Sequence, residues 1–334
     1  MKIIKTNPSD ADFHLFENLA NVLYEANSVR HKQSDSLNLE YLSACYILTI
    51  NDLVVLRLAI YDNPYFYYES KKVICIGNYE AFEDAEIATI MINHAKSEAK
   101  KLGAEYIIGP MNGSTWDAYR FSVSHDAPPF LMENYHHLYY NQHFTDNGFG
   151  VIGGYFSSKD TTLLYDAVPV LEREAALIAD GVTFRNVELE HFDAELERLF
   201  DFNEMAFKTN FLYTPISKTA FLSKYKDTKR IINPDFVILA EDADKNLLGY
   251  FFCIQDFYNT NEKSLILKTI ARHPDPRWRG LGHVIGNMIY RKAVEQGFTS
   301  VIHAFMYDEG YSTTISKNFS GNRYKYYHLY GQEI

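Results

Sequence analysis

The sequence predicts an α/β (α+β) protein made of two tandem copies of one domain. Three observations support this fold class. The chain has 334 residues, which is room for two domains of ordinary size. A strand, a glycine-containing turn and an amphipathic helix follow one another between Leu265 and Gly297. Finally, the same order of apolar runs and turns occurs earlier in the chain at a constant distance.

The composition excludes several classes of protein. With 47% hydrophobic and 22% charged residues, the chain is typical of a globular protein. A net charge of −11 argues against nucleic acid as the main partner, because phosphate contacts need surplus cations. No apolar run reaches the length of a membrane span, so no membrane partner is expected. Cys45, Cys75 and Cys253 lie far apart in apolar runs, which indicates reduced core thiols and a cytoplasmic location. No metal is expected, since no His/Cys/Asp cluster has the spacing of a metal site.

The elements of the first copy follow from apolar periodicity, helix caps and turn residues. Asn51-Asp52 predicts a hairpin turn, and Gly103 is expected to end a helix. The predicted strands are Ile3–Lys5, Tyr46–Ile50, Leu53–Tyr61, Val73–Ile76, Tyr106–Ile108, Val151–Tyr155 and Thr162–Tyr165. A first helix is expected after Ser9 or Asp10, either of which could cap it. Three further helices are predicted at Asp84–Lys100, Phe144–Gly150 and, as a connection to the second copy, Pro169–Gly181.

The second copy is expected to open at Val182 and to repeat this order. Its predicted helices are 194–210 and 218–224, followed by a helix that begins near Leu281 and a loop with a helix between Tyr307 and Phe319. Its predicted strands are 182–184, 236–240, 247–254, 265–270, 300–305 and 323–330. The domain limits predicted in this way are residues 1–165 for the first copy, 166–181 for a linker helix and 182–334 for the second copy.

The internal repeat becomes visible when the first copy is shifted by 194 positions. Gly103 then falls on Gly297, Leu53-Val54 fall on Leu247-Leu248, and Ile74 falls on Lys268 within the strand before the glycine turn. The coincidence of four elements without a gap indicates an internal duplication.

The turn before the second-copy helix has the composition of an anion-binding loop. Its residues 277–283 are Arg-Trp-Arg-Gly-Leu-Gly-His. Backbone N–H groups at a helix start can bind a phosphate, glycine permits close approach, and Arg277 and Arg279 can add charge-assisted bonds. The alternative is a βα turn that packs its helix and binds nothing.

The spacing Arg277-x-x-Gly280-x-Gly282 resembles the acetyl-CoA pyrophosphate loop of the GCN5-related N-acetyltransferases. The resemblance covers residues 182–334 in element order, with residues 1–165 similar to a degenerate copy. It implies two tandem acyl-CoA N-acyltransferase-like domains, each with a mixed, mostly antiparallel sheet flanked by helices. It also implies direct acetyl transfer from acetyl-CoA, as co-substrate, to a primary amine of a small molecule or peptide. The implied cofactor-binding residues are Ile270, Ala271 and Arg272 for the pantetheine arm, and Arg277, Arg279, Gly280, Leu281, Gly282 and His283 for the pyrophosphate.

The first copy carries acidic residues where the second has this loop. The shift of 194 places Glu83, Glu86 and Ala88 on Arg277, Gly280 and Gly282. Carboxylates favour a helix start but repel a pyrophosphate. We therefore expect the first copy not to bind CoA at this point.

The catalytic residues depart from the family's pattern. The family often has a tyrosine acid on the helix after the last core strand, near Ser316-Lys317 here, and the nearest tyrosines are Tyr307 and Tyr311. We take Tyr311 as the candidate acid. Glu204 is the candidate base, with Asp308 or Glu309 and water as alternatives. His303 lies in an apolar strand and is interpreted as a core histidine.

A region that binds the acceptor amine is expected between Ile108 and the second copy, where turn formers and aromatic residues are concentrated. Its candidate substrate-binding residues are Trp116, Tyr119, Arg120 and, in the second copy, Tyr213. The alternative is that these aromatic residues close the core of the first domain. The sequence leaves a monomer and a homodimer equally open.

Two other functions fit the same sequence. One is a catalytically inactive sensor that binds CoA or an acyl metabolite, which the departure at the tyrosine position favours. The other is an aminoacyl transferase of the cell-wall type, which also uses two such domains. The chain shows no long helical hairpin of that type, and its acidic balance weighs against a tRNA substrate.

Overall fold

The computed structural model describes residues 1–26, 28–33, 36–310 and 319–334. Its first half contains the following elements: β1 (Lys2–Thr6), α1 (Phe13–Leu23), β2 (Leu42–Ile50), β3 (Leu53–Tyr61), β4 (Tyr67–Tyr68), β5 (Lys71–Ala81), α2 (Ala85–Lys101), β6 (Tyr106–Gly109), β7 (Phe121–Ser122), α3 (Tyr139–Asp146) and β8 (Gly150–Asp160). The second half contains α4 (Val168–Ala179), β9 (Thr183–Asn186), α5 (Phe192–Phe207), α6 (Lys218–Tyr225), β10 (Val237–Glu241), β11 (Leu247–Gln255), β12 (Ser264–Arg272), α7 (Leu281–Glu295), β13 (Ser300–Tyr307) and β14 (Asn322–Glu333).

The chain forms two compact units. The first consists of Met1–Gly154 together with Lys325–Ile334, and the second is Tyr155–Tyr324. These limits differ from the predicted ranges 1–165, 166–181 and 182–334. The last ten residues belong to the first unit, while the end of β8 and all of α4 belong to the second. Strand pairing between distant parts of the chain decides this membership, and local sequence patterns do not report it.

The sheet of the first unit has the strand order β1-β2-β3-β5-β6-β14. Neighbours are antiparallel except β5 and β6, which are parallel. The β2–β3 hairpin turns at Asn51 and Asp52, whose φ angles of 50° and 64° suit the turn type that matches strand twist. Helix α2 buries Ile87, Met91 and Ala95 in the core of this unit.

The sheet of the second unit has the strand order β9-β10-β11-β12-β13-β8. Again one neighbouring pair, β12 and β13, is parallel and the others are antiparallel. Helix α7 covers this sheet with buried Leu281, Val284 and Ile289. The core of the second unit also includes the fully buried Leu177 of α4, so α4 is an integral part of this unit. The prediction of a mixed, mostly antiparallel sheet flanked by helices is confirmed.

Two local predictions in the first half are wrong. Thr162–Tyr165 is not a strand, because β8 ends at Asp160, whose carboxylate accepts hydrogen bonds from the backbone of Thr162 and Leu163 and turns the chain. The helix expected at Phe144–Gly150 lies earlier, at Tyr139–Asp146. It ends at Asp146, and Gly148, two residues later, has a φ of 86° that favours glycine.

The two copies also differ by an insertion that the gapless shift concealed. In the parallel ladders, Val73 pairs with Tyr106 and Ser264 pairs with Ser300, so the partners are 33 residues apart in the first unit and 36 in the second. The left-handed glycines Gly103 and Gly297 each precede the following strand by the same distance. The three extra residues therefore lie between β12 and α7. The strand partner of Ile74 in the repeat is Leu265, not Lys268.

None of the helices in the described parts of the chain combines the length and apolarity needed to cross a membrane. The three cysteines are buried and free of disulfides.

Candidate functional site

The second unit has an opening between its two parallel strands. β12 pairs with β13 only from Ser264 to Leu267, whereas it pairs with β11 as far as Arg272. No strand in the described part of the chain pairs with this edge of β12 beyond Leu267. The edge therefore offers backbone hydrogen-bonding groups to an extended ligand.

Strand β13 leaves β12 through a local irregularity. Its register with β8 shifts between His303 and Met306, and Phe305 has a φ of 57°. The Phe305 amide donates to Ser157 Oγ at 3.1 Å, which draws this strand toward β8. Lys268 is the bulged residue of β12 opposite β11, and its Nζ lies 5.5 Å from the centroid of the Phe305 ring. The two strands thus separate at a pair of irregular positions.

The loop between β12 and α7 is held by its own side chains. Asp275 caps a short 3₁₀ turn, since its Oδ1 accepts from the Arg277 amide at 2.9 Å and its Oδ2 accepts from Arg277 Nε at 2.9 Å. These two bonds hold the pKa of Asp275 below its usual range, and the bond from the Arg277 amide has the larger effect. Arg272 Nη1 donates to the carbonyls of His273 and Asp275 at 2.8 and 3.1 Å. The loop therefore has a defined shape before any ligand is considered.

Gly280 is the residue before α7 and requires glycine for two reasons. Its φ is 90°, a left-handed conformation that disfavours other residues. A Cβ at this position would lie 3.1 Å from Arg173 Cγ. The amides of Leu281 and Gly282 then open the helix, where the first N–H groups have no acceptor within the helix. Within the described residues they donate to no protein oxygen, so they are available to an anion.

Arg173 of α4 contacts this loop, although no sequence pattern marks it as a site residue. Its Nε donates to the Arg279 carbonyl at 3.0 Å and its Nη2 donates to the Arg277 carbonyl at 2.6 Å. Arg277 and Arg279 are exposed, and Arg277 also contacts Asp275. The loop before α7 is therefore bound by the guanidinium of Arg173 and itself carries two exposed arginines. Only their arrangement in space places Arg173 here, because it is remote in sequence.

The corresponding helix start in the first unit is occupied by the protein itself. Asp84 caps α2, and its Oδ1 accepts from the amides of Glu86 and Ile87 at 2.8 and 3.2 Å. This carboxylate satisfies the groups that a pyrophosphate would use. The connection from β5 to α2 is also short, with only residues 82–84 against 273–280 in the second unit.

The strand edge of the first unit is closed as well. Asn112 Oδ1 accepts from the Asn78 amide at 3.0 Å. At the end of β5, the Ala81 amide donates to the Tyr140 hydroxyl at 3.1 Å, and the Tyr139 hydroxyl donates to the Ala81 carbonyl at 2.7 Å. Side chains thus bond the backbone that would pair with an extended ligand.

Of the two catalytic candidates, the described residues include Glu204 and not Tyr311. Tyr311 lies outside the described residues, as do Ser316 and Lys317. Glu204 is exposed on α5. Burial raises the pKa of Tyr213, and the Glu204 charge raises it further. The acid and base assignments stay predictions.

His303 is a buried core histidine, as its position in an apolar strand indicated. It is 3% exposed, and its Nε2 lies 2.7 Å from the Tyr290 hydroxyl. That hydroxyl also bonds Asp160 Oδ2 at 3.1 Å. Burial lowers the pKa of His303 to about 4, so the imidazole is neutral at physiological pH.

The remaining candidates for acceptor binding lie in the first unit and are half-buried. Arg120 lies over the Tyr119 ring with 4.1 Å from its guanidinium carbon to the ring centroid, and the Trp116 amide donates to Ser114 Oγ at 3.3 Å. Tyr119 also forms a β-bridge with Met111. Their role toward an acceptor stays a prediction.

Asp308 and Glu309, the alternative bases, directly follow β13. Arg323 Nη1 donates to Asp308 Oδ1 at 3.0 Å, and the Tyr307 hydroxyl lies 3.5 Å from Glu309 Oε2. Across the described ranges, no group of three or more His, Cys, Asp or Glu side chains is arranged to hold a metal ion.

Comparison of the whole fold with solved structures shows which proteins share it. No protein-family model and no curated protein sequence matches the chain. A tandem GNAT protein from the clavulanic acid biosynthesis pathway matches with a TM-score of 0.57 and 10% identity over 99% of this chain and 98% of the other. A GCN5-related N-acetyltransferase from Sphaerobacter thermophilus matches with a TM-score of 0.55 and 11% identity over 99% and 95%.

A third match is a region of a fungal protein. It is the GCN5-related glucosamine N-acetyltransferase region of a multi-domain GH3 β-N-acetylglucosaminidase, with a TM-score of 0.59 and 13% identity. The match covers 99% of this chain, which spans 38% of the length of the fungal one. The chain therefore has the fold of the GCN5-related N-acetyltransferases, including their tandem proteins, and the resemblance in fold is confirmed.

Proposed function

We propose that the protein is an acetyl-CoA-dependent N-acetyltransferase that transfers an acetyl group directly to a primary amine of a small molecule or peptide. The observation that carries the proposal is the contrast between the two units. In the second unit, β12 and β13 separate beyond Leu267, and no side chain caps the first N–H groups of α7. In the first unit, side chains bond the backbone at both corresponding positions.

The residues of the second unit fit acetyl-CoA in two places. The helix start at Leu281 and Gly282, with exposed Arg279 and Arg277 beside it, suits a pyrophosphate by charge and by hydrogen-bond donors. The β12 edge at Ile270–Arg272 suits the amide-containing pantetheine arm, which can pair with backbone as an added strand does. Bound there, acetyl-CoA supplies an activated acetyl thioester.

The chain's own task is then to orient the acceptor and to take up its proton. Glu204 is an exposed carboxylate in the second unit and is our candidate for accepting the proton from the ammonium form of the amine. Tyr213 is a phenol and therefore protonated at neutral pH, and burial, followed by the Glu204 charge, raises its pKa further. Tyr213 is thus a candidate hydrogen-bond donor to the acceptor.

The experiment has two stages. Acetyl-CoA is titrated into the protein calorimetrically, and thiol release is then followed with a panel of small amines, amino acids and peptides. We expect saturable binding with one site per chain and acetyl-CoA-dependent thiol release with at least one amine. Binding without turnover on any amine would favour the sensor function instead.

Matched variants locate the binding site. Gly280→Glu places a carboxylate at the open helix start in a left-handed position, so we expect binding to be lost. Glu83→Gln with Glu86→Gln changes the charge at the closed helix start of the first unit and should leave acetyl-CoA affinity unchanged. Absence of binding in the wild type, or equal binding by Gly280→Glu, would contradict the proposed function.

A further inference from the structure

Arg173 contacts the pyrophosphate loop from a helix that the sequence marks only as a connection. Its two hydrogen bonds reach the carbonyls of Arg277 and Arg279, two residues of one loop on either side of Trp278. The planar guanidinium can bond both at once, which a lysine ammonium on a flexible stem does less well. This contact is specific to the geometry of the arginine fork.

The contact determines the orientation of a peptide group at the helix start. The peptide bond between Arg279 and Gly280 is trans, so its C=O and N–H point in opposite directions. Since Arg173 Nε bonds the Arg279 oxygen at 3.0 Å, the Gly280 N–H is turned away from Arg173. A reversed peptide would instead present a carbonyl oxygen, which repels phosphate.

Arg173 is itself held in place by the packing of α4 on α7. The Asp166 amide donates to Asn287 Oδ1 at 2.6 Å, and Asn287 Nδ2 returns a bond to Asp166 Oδ1 at 2.9 Å. Arg291 Nη2 donates to the same carboxylate at 2.6 Å and lies 3.6 Å from Glu174 Oε2. The start of α4 and the residue after Arg173 are therefore both tied to the helix that the loop opens.

We propose that Arg173 is a positioning residue for acetyl-CoA: it holds the loop carbonyls back so that the Gly280 amide joins those of Leu281 and Gly282 in binding the pyrophosphate. The inference rests on the proposed function, because it assigns a role toward the same co-substrate. It makes α4 a part of the cofactor site, although α4 precedes the domain limit that the sequence predicted at residue 182.

The test compares Arg173→Met, Arg173→Lys and a control. Arg230→Met removes another arginine of the second unit, an exposed side chain whose Nη2 lies 3.5 Å from Asp227 Oδ1. We expect Arg173→Met to raise the calorimetric Kd for acetyl-CoA about 10- to 100-fold, the range for losing one hydrogen bond to a charged group, here that of the Gly280 amide to the pyrophosphate. Arg230→Met should bind as the wild type does. Arg173→Lys should recover only part of the affinity, since it restores the charge but not the paired contact.

A truncated donor separates positioning from a general loss of structure. Acetyl-pantetheine has no pyrophosphate, so kcat/KM with this donor should be the same for the wild type and Arg173→Met. An equal loss with both donors would show that Arg173 only maintains the fold and would overturn the inference. Full recovery by Arg173→Lys would overturn it too, because charge alone would then suffice.

The outcome for the proposed function is separate. Wild-type binding with unchanged affinity in Arg173→Met overturns the role of Arg173 and leaves the acetyltransferase proposal intact. Failure of the wild type to bind acetyl-CoA overturns both.

Discussion

Replacing Gly280 with alanine tests whether the left-handed conformation before α7 serves binding. Gly280 has φ 90° and ψ −16°, a region that costs a residue with a Cβ about 1–2 kcal/mol. The added Cβ would also lie 3.1 Å from Arg173 Cγ, so the arginine must shift. If the loop of the variant relaxes to another conformation, acetyl-CoA must restore the original one on binding. We therefore expect the Kd to rise about 5- to 30-fold.

Gly297 provides a matched control at the other end of the same helix. Its φ is 74°, and a Cβ there would meet no atom within 4 Å. Gly297→Ala thus introduces a similar backbone strain without touching the loop. Its free energy of unfolding should fall by about 1 kcal/mol, while its acetyl-CoA affinity stays that of the wild type.

Both quantities are measurable on the same samples. Urea unfolding gives the stability of each variant, and calorimetry gives the Kd for acetyl-CoA. The reasoning is refuted if Gly280→Ala binds as tightly as the wild type, or if both glycine variants lose the same affinity. The second result would mean that strain anywhere along α7 weakens binding.

Three further outcomes are expected. Asp84→Ala removes the cap of α2 and should lower the free energy of unfolding by about 1 kcal/mol without changing acetyl-CoA affinity; a lower Kd in the variant would show that the first unit binds once uncapped. Lys325→Met leaves the Glu133 carboxylate buried without its ion-pair partner at 2.9 Å and should cost about 3–5 kcal/mol in urea unfolding, whereas a loss below 1 kcal/mol would contradict burial of the pair. Burial lowers the pKa of His136 to about 3 and of His303 to about 4, against about 6.5 when unfolded. The unfolded chain thus binds more protons at acid pH than the folded one. The contribution of the two neutral histidines to the free energy of unfolding is therefore complete above pH about 6.5 and is lost as the pH falls toward 4. Urea midpoints should decrease from pH 7 to pH 5, and glutamine at both positions should flatten that decrease.

The elements that local patterns specify were predicted closely. The predicted strand Leu53–Tyr61 has the bounds of β3, and the predicted helix Asp84–Lys100 differs from α2 by one residue at each end. Apolar periodicity, the Asp84 cap and the turn at Gly103 are all encoded within a few residues. The position of the glycine turn before α7 was found in the same way, because glycine is recognisable by type and spacing, while the binding of acetyl-CoA by this loop stays a prediction.

The features that depend on distant residues were not predicted. The three-residue insertion before α7 is visible only in the hydrogen-bond ladders, since a gapless shift still aligns Gly103 with Gly297. The contact of Arg173 with the loop depends on how α4 packs against α7. The tyrosine hydroxyls that close the end of β5 come from a helix more than fifty residues away in sequence. Nothing in the local composition of these segments indicates their partners.

Because Lys325–Ile334 belong to the first unit, this unit cannot complete its sheet while the second unit is still being synthesised. These residues pair with β6 from Tyr106 to Gly109 and are synthesised only after the whole second unit, Tyr155–Tyr324. Until Lys325–Ile334 have emerged from the ribosome, β6 presents an open edge of the kind that can pair with other chains. A gene fragment encoding only the first 154 residues would keep that edge exposed permanently, and we expect it to aggregate.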